Sequence, residues 1–266
     1  MLELILIIAI VYLFAIRCRK GHPGLKDLQG WSYAHRGLHG NGIPENSMAA
    51  FRAALEHGYG IELDIHLLKD GNLAVIHDSL LNRTTGAAGR IEDLTTEELK
   101  NYHLEGTEET IPEFMDVLTL YNGKAPLIVE LKPTDGNHAA LAEAACRMMD
   151  TYQGPFCMES FDPRCVAWLY KNRPDIIRGQ LTENFFRSKS DLPDYLKFAL
   201  QHCLTNIMCV PDFVAYKFAD RNSTPSVKLC KKLWKAQTVT WTLRTKEDYD
   251  TAVAEGWIPI FENFIP

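Results

Sequence analysis

Glu62 and Asp64 stand two positions apart in a run, 61–67, that is otherwise mostly apolar. In an extended strand side chains alternate between faces, so both carboxylates point the same way. Two acids buried side by side are costly unless something cationic lies between them. His35-Arg36 closes an apolar run upstream, His77-Asp78 closes one downstream, and Glu130 and Lys132, again two apart, close a third. Three carboxylates, Glu62, Asp64 and Glu130, with no cysteine or clustered histidine form a hard-oxygen donor set. It suits Mg²⁺, Ca²⁺ or Mn²⁺ rather than zinc. Arg36 and Lys132 offer charge to an anionic substrate, and a guanidinium can grip two phosphate oxygens at once. His35 and His77 are proton-transfer groups. Together these residues point to chemistry on a phosphate beside a divalent metal ion. His66 shares the face of Glu62 and Asp64 and reads as a positioning residue, not a ligand.

The elements that must carry these residues follow a strand–helix rhythm. Strands are expected at 32–35, 61–67, 127–131, 156–161, 176–181, 206–210, 238–243 and 258–261. Helices are expected at 47–56, 111–121, 138–152, 163–171, 192–202, 226–235 and 246–255, the first with Asn46 as its cap. The run 73–77 follows 61–67 after only the turn cluster Lys69-Asp70-Gly71-Asn72. Parallel neighbours need a crossover of a dozen residues or more, so this run folds back as an antiparallel hairpin arm. Residues 80–110 make a polar, turn-rich insertion with one helical piece at 96–102, and the acids from Glu92 to Glu113 read as a solvated face. Eight βα units in one chain of 266 residues predict a (β/α)8 barrel, with its site at the strands' C-terminal ends. No GxGxxG or GxxxxGK[ST] loop is present, which disfavours a nucleotide-binding fold.

A net charge of -6, with no basic stripe interleaved with aromatics, excludes nucleic acid as the main partner. Seven cysteines, irregularly spaced and without a CxxC pair, predict buried thiols in a reducing compartment and no disulfide framework. Residues 4–16 are apolar without a break and are followed by Arg17, Cys18, Arg19 and Lys20. The order is the reverse of a cleaved signal peptide. Residues 1–20 are therefore expected as a membrane anchor at the short edge of spanning length, with the catalytic body, 31–266, in the cytoplasm beyond a linker at 21–30.

Read in order, His35-Arg36-Gly37, Pro44-Glu45-Asn46-Ser47, Glu62-x-Asp64, Lys69-Asp70-Gly71, Val75-Ile76-His77-Asp78, Leu81-Asn82-Arg83-Thr84-Thr85-Gly86 and Val129-Glu130-Leu131-Lys132 resemble the glycerophosphodiester phosphodiesterase family. Ser160-Phe161 and Trp241-Thr242 continue the resemblance more thinly. It implies a metal-dependent barrel enzyme that cleaves a glycerophosphodiester to glycerol 3-phosphate and an alcohol. The implied ligands are Glu62, Asp64 and Glu130, the acid/base pair His35 and His77, and the phosphate-holding cations Arg36 and Lys132. Trp241 and Phe161 are expected to wall the substrate pocket. One histidine would take a proton from the glycerol hydroxyl that attacks phosphorus, the other would protonate the departing alcohol, and water would then open the cyclic phosphate. The order of the two histidines is left open, as are the headgroup and the oligomeric state. The same residues could act on a lysophospholipid headgroup, and a non-catalytic anion-binding barrel at a membrane is a further reading. Two departures from the family pattern stand out: Arg244 where asparagine commonly follows the Trp-Thr-aliphatic piece, and Ile260-Phe261-Glu262-Asn263-Phe264 in place of a Gly-Ile-x-Thr-Asp run. Neither is expected to touch the metal or proton groups.

Overall fold

The computed structural model describes residues 1–266. Nine strands form one sheet: β1 (Tyr33–His35), β2 (Gly60–Leu67), β3 (Leu73–Val75), β4 (Leu127–Leu131), β5 (Phe156–Ser160), β6 (Arg178–Thr182), β7 (Phe213–Lys217), β8 (Gln237–Leu243) and β9 (Ile258–Phe261). All pairings are parallel except that of β3, which returns antiparallel along β2, as the short turn requires. β1 pairs with both β2 and β9, so eight strands close into a (β/α)8 barrel.

Alternation along each strand sorts its side chains. On β2, Ile61, Leu63 and Ile65 face outward and pack with Phe51, Phe114, Val117 and Leu141 of the surrounding helices. Glu62, Asp64 and His66 face inward and are buried all the same. Below them the barrel interior is apolar, filled by Tyr33, Ile128, Ile177, Phe213, Val239 and Ile258. Gly179 makes this filling possible. A Cβ at that position would stand 2.0 Å from the Phe213 ring, so only glycine leaves room for the ring. The stretch 21–30 helps to seal this floor. Leu25–Leu28 form a helical turn, Leu28 packs among the interior side chains, and its carbonyl accepts a 2.9 Å hydrogen bond from the Tyr33 hydroxyl.

The insertion has a core of its own, built from Leu68, Ala74, Ile76, Leu81, Ile91, Leu94, Leu99, Leu104 and Ile111. Its 96–101 piece is a 3₁₀ helix started by a reciprocal Thr95/Glu98 capping box. All seven cysteines are free and buried.

Two expectations are corrected. Residues 206–210 form a short helix, Asn206–Cys209, and the seventh barrel strand lies later, at Phe213–Lys217. A four-residue apolar run does not distinguish helix from strand by periodicity. Here Pro211-Asp212 ends it before the barrel strand begins.

The membrane anchor, and with it the cytoplasmic orientation drawn from it, is not supported. The N-terminal helix, Leu2–Ala15, has 14 residues, and no helix is long and apolar enough to cross a membrane. At 1.5 Å per residue it reaches about 21 Å, against a hydrocarbon core of about 30 Å. The apolar run continues to Ile16, but Ile16 belongs to the barrel. It is fully buried with Cys18, Cys203, Val214, Tyr216 and Cys230.

Candidate active site

β2 brings Glu62 and Asp64 to the interior, and the parallel register sets Asp64 opposite Glu130 on β4 and Glu130 opposite Glu159 on β5. Ligand oxygens of Glu62, Asp64 and Glu130 lie within 4.8 Å of one another. Burial and the neighbouring Asp64 and Glu130 carboxylates push the Glu62 carboxyl well above its ordinary range. Glu130 is raised by burial in spite of Lys132. Asp64 goes the other way. Burial would raise it, but the charges of Lys132 and Arg36 and a 2.9 Å hydrogen bond from Asn46 hold it below the usual carboxylate range. Lys132 Nζ lies 2.9 Å from Glu130 Oε1 and 3.4 Å from Asp64 Oδ1, and Arg36 Nε lies 3.5 Å from Asp64 Oδ2.

These acids fit a hard divalent cation. All donors are carboxylate oxygens, and Asp64 Oδ1 is buried without a hydrogen-bond partner. The like charges that raise Glu62 and Glu130 are what such a cation would neutralise.

The loop after β1 is shaped by Arg36 and Gly37, both left-handed, with φ of 55° and 80°. Gly37 has no substitute here, because a Cβ would meet Ala50 at 2.8 Å. This bend turns the Arg36 N–H onto Glu62 Oε2, 3.2 Å away, and lets its guanidinium reach Glu45 at 2.9 Å. Asn46 is not the helix cap expected from the sequence. Ser47 takes that role, accepting from the Ala50 N–H, and Asn46 is free to hold Asp64.

The two histidines reach the acids from different elements. His35 ends β1, with Nε2 3.9 Å from Glu62 Oε2. His77 follows the hairpin arm. Both border a cavity of about 140 Å³ together with Arg36, Glu62, Glu130, Glu159, Phe161, Trp241 and Arg244. A wider cleft of about 540 Å³ opens beside it between the insertion and the β4 and β5 loops, sharing His77, Glu130 and Phe161. Phe161 and Trp241 meet edge to face at 5.5 Å, and the buried indole Nε1 of Trp241 has no partner. That N–H is a donor available to a substrate oxygen.

Each histidine is backed by a carboxylate. His35 Nδ1 lies 2.5 Å from Glu262 Oε2, and Arg244 Nε lies 2.6 Å from Glu262 Oε1. His77 Nδ1 lies 2.6 Å from Asp78 Oδ1, and Arg83 Nε holds Asp78 Oδ2. Burial pulls His35 below its ordinary value, aided by the Arg36 charge and opposed by Glu262. The expectation that the 260–264 run stands clear of His35 is therefore wrong, and Arg244 reaches His35 only through Glu262.

His66 is buried, with Nδ1 2.7 Å from Glu92 Oε1 and Nε2 3.2 Å from the His77 carbonyl. Glu92, read as part of a solvated face, also accepts from Ser79 at 2.7 Å. Sequence reasoning missed Glu159, Glu262 and the site role of Asn46. Glu159 had a usable signal, since it sits two residues before Phe161 on an inward-facing row. Burial and the Glu130 and Asp64 charges raise its carboxyl well above the ordinary range, and its Oε2 is unpartnered.

Residues 35–265 match the model of the glycerophosphoryl diester phosphodiesterase family. Among curated proteins, a glycerophosphodiester phosphodiesterase of Bacillus altitudinis is 38% identical over 161 residues, 56% of this chain and 65% of that protein. The mouse protein glycerophosphodiester phosphodiesterase 1 is 34% identical over 128 residues, 44% of this chain and 37% of that protein. The matched stretch thus spans less than two thirds of these relatives. An Oleispira antarctica phosphodiesterase solved with its product sn-glycerol-3-phosphate superimposes with a TM-score of 0.71 at 21% identity, covering 87% of this chain and 92% of that one. At that identity the likeness speaks for the fold.

Proposed function

From the premise that this chain belongs to the glycerophosphoryl diester phosphodiesterase family, we propose that it hydrolyses glycerophosphodiesters to glycerol 3-phosphate and an alcohol. One observation carries the reading: two carboxylate-backed histidines, Arg36 and a cluster of inward carboxylates border a single cavity, and Lys132 lies against the same carboxylates. A pure anion binder needs no pair of proton-transfer groups.

Glu62, Asp64 and Glu130 would hold a divalent cation, Mg²⁺, Ca²⁺ or Mn²⁺ by donor type, which supplies positive charge to phosphoryl oxygens as negative charge grows there. Arg36 and Lys132 lie beside the same acids and orient the phosphate. His35, held below its ordinary value by burial, accepts the proton of the attacking glycerol hydroxyl in this scheme. His77 borders the wider cleft, where the departing alcohol has room, and protonates that alcohol. The roles reverse when water opens the cyclic phosphate. Trp241 and Phe161 close one wall of the cavity against solvent.

The test uses the full chain with glycerophosphocholine and, separately, a lysophospholipid, with and without EDTA. Metal-dependent release of glycerol 3-phosphate from the first substrate is expected. His35→Ala and His77→Ala should each lower kcat by on the order of 10²-fold or more, the scale of lost acid/base catalysis. A folded chain that turns over neither diester with any divalent metal refutes the proposal, and full activity in His77→Ala refutes the two-histidine scheme.

A further inference from the structure

Glu262 divides its two oxygens between different tasks. Oε1 faces donors only: Arg244 Nε at 2.6 Å and Asn263 Nδ2 at 3.4 Å. Oε2 faces the imidazole of His35 at 2.5 Å, with His39 Nε2 further off at 3.9 Å. The carboxyl is ionised. Burial pushes it up, but the hydrogen bond to His35, the nearby His39 and the Arg244 charge hold it well below the usual carboxylate range. An ionised carboxylate only accepts hydrogen bonds, so Nδ1 of His35 must carry a proton. In a neutral imidazole the other nitrogen, Nε2, is then bare, and Nε2 is the atom turned toward Glu62.

His77 is built the same way from unrelated residues, with Asp78 on its Nδ1 and Arg83 behind Asp78. Two histidines on two elements share one construction, imidazole to carboxylate to guanidinium. Arg244 and Glu262, which lie in the two stretches singled out above as departures from the resemblance, are in contact with each other.

We propose that Glu262, anchored from behind by Arg244, is a tautomer lock on His35 that keeps the proton on Nδ1 and leaves Nε2 open to receive one in the cavity. Glu262 does not line the cavity and acts through His35, and Arg244, on the cavity's border, acts through Glu262, so both are positioning residues. The lock rests on the hydrolase reading for its consequence, but its geometry can be examined apart from turnover.

The anchor makes an unusual prediction for an amide. In Glu262→Gln the single amide oxygen is claimed by Arg244 and Asn263, so the amide NH₂ must face His35. It can donate only to a bare Nδ1, which moves the ring proton to Nε2 and blocks the base. In Arg244→Leu/Glu262→Gln the strong claim is gone, and the amide can turn its oxygen back to His35. Removing a second interaction should therefore restore what the first substitution took away.

The experiment uses the full chain labelled with ¹⁵N. The His35 tautomer is read by two-bond ¹H–¹⁵N correlation, and kcat and KM are measured on glycerophosphocholine with metal. The parent should show a protonated Nδ1 and Glu262→Gln a protonated Nε2. That variant should lose on the order of 10²-fold or more in kcat, with KM within about threefold. Arg244→Leu alone should cost less than about tenfold. The double variant should regain at least about tenfold over Glu262→Gln and return the proton to Nδ1. An active parent whose tautomer survives Glu262→Gln overturns the lock and leaves the hydrolase reading standing, and so does a double variant no better than Glu262→Gln. A parent that turns over no diester overturns the hydrolase reading, and the spectra then decide the lock alone.

Discussion

The acids at the centre of the barrel are arranged against one another. Burial and mutual repulsion raise Glu62, Glu130 and Glu159, while only Asp64 is held ionised by surrounding donors. A carboxyl raised in the folded state costs stability as pH climbs above its unfolded value. Glu62→Gln, which removes one of these charges, should therefore melt no lower than the parent in EDTA at pH 7. The parent should gain more than the variant from saturating Mg²⁺ or Ca²⁺, since a ligand at 100 times Kd contributes about 2.7 kcal/mol. Calorimetry with and without the ion reads both. Glu62, Asp64, Glu130 and Lys132 were legible in the sequence because period-two spacing fixes which residues share a face. Glu262 was not. It meets His35 across 227 positions of chain, through the β1–β9 closure that makes the sheet a barrel, and no local pattern reports that contact.

Among the elements, the hairpin arm and its insertion give His77 its place. His66 on β2 sits between two acceptors, the Glu92 carboxylate and the His77 carbonyl, and so ties the insertion to the backbone that carries His77. Burial pushes Glu92 up, but the hydrogen bonds from His66 and Ser79 outweigh it and hold it at about 2. A group depressed on folding contributes stability above its unfolded value, near 4.5, and loses that contribution as pH falls through about 2. Glu92→Gln should accordingly be about 1 kcal/mol less stable than the parent at pH 7. The gap should close between pH 4.5 and 2, a comparison that denaturant titrations at several pH values provide. A gap that stays constant over that window would show the clamp to be unimportant. The fold-back of β3 was readable from a four-residue turn. The insertion's interior was not, because Leu81, Ile91, Leu94 and Leu99 follow neither a helical nor a strand period.

For the whole molecule, the boundary of the folded unit moves toward the N-terminus. Ile16 is fully buried, the Arg19 N–H donates to the Pro211 carbonyl, and the Arg19 guanidinium donates to both oxygens of Asp212, one of which also accepts from the Arg178 N–H. Tyr12 also bonds Ser226 at 2.8 Å. A chain beginning at Gly21 should lose several kcal/mol, from a vacated apolar site and a buried acid stripped of its Arg19 hydrogen bonds. A chain beginning at Val11 keeps these contacts and should melt within a few degrees of the parent. Thermal melts of the two truncations decide the matter. Composition predicted one barrel in one domain, yet the apolar run at 4–16 looks uniform in sequence while its last residue belongs to a different environment from the rest.

The Phe213 ring, lodged where Gly179 leaves room, and the Leu28 and Tyr33 side chains beside it stop the barrel from being a tunnel. In the proposed reaction, diester, water, alcohol and glycerol 3-phosphate would all use the one face rimmed by the insertion. Water reaching phosphorus from the leaving group's side can do so only after the alcohol has gone out the same way. The traffic is thus a queue, and the slowest traveller through the doorway sets a ceiling on turnover however fast the proton transfers become.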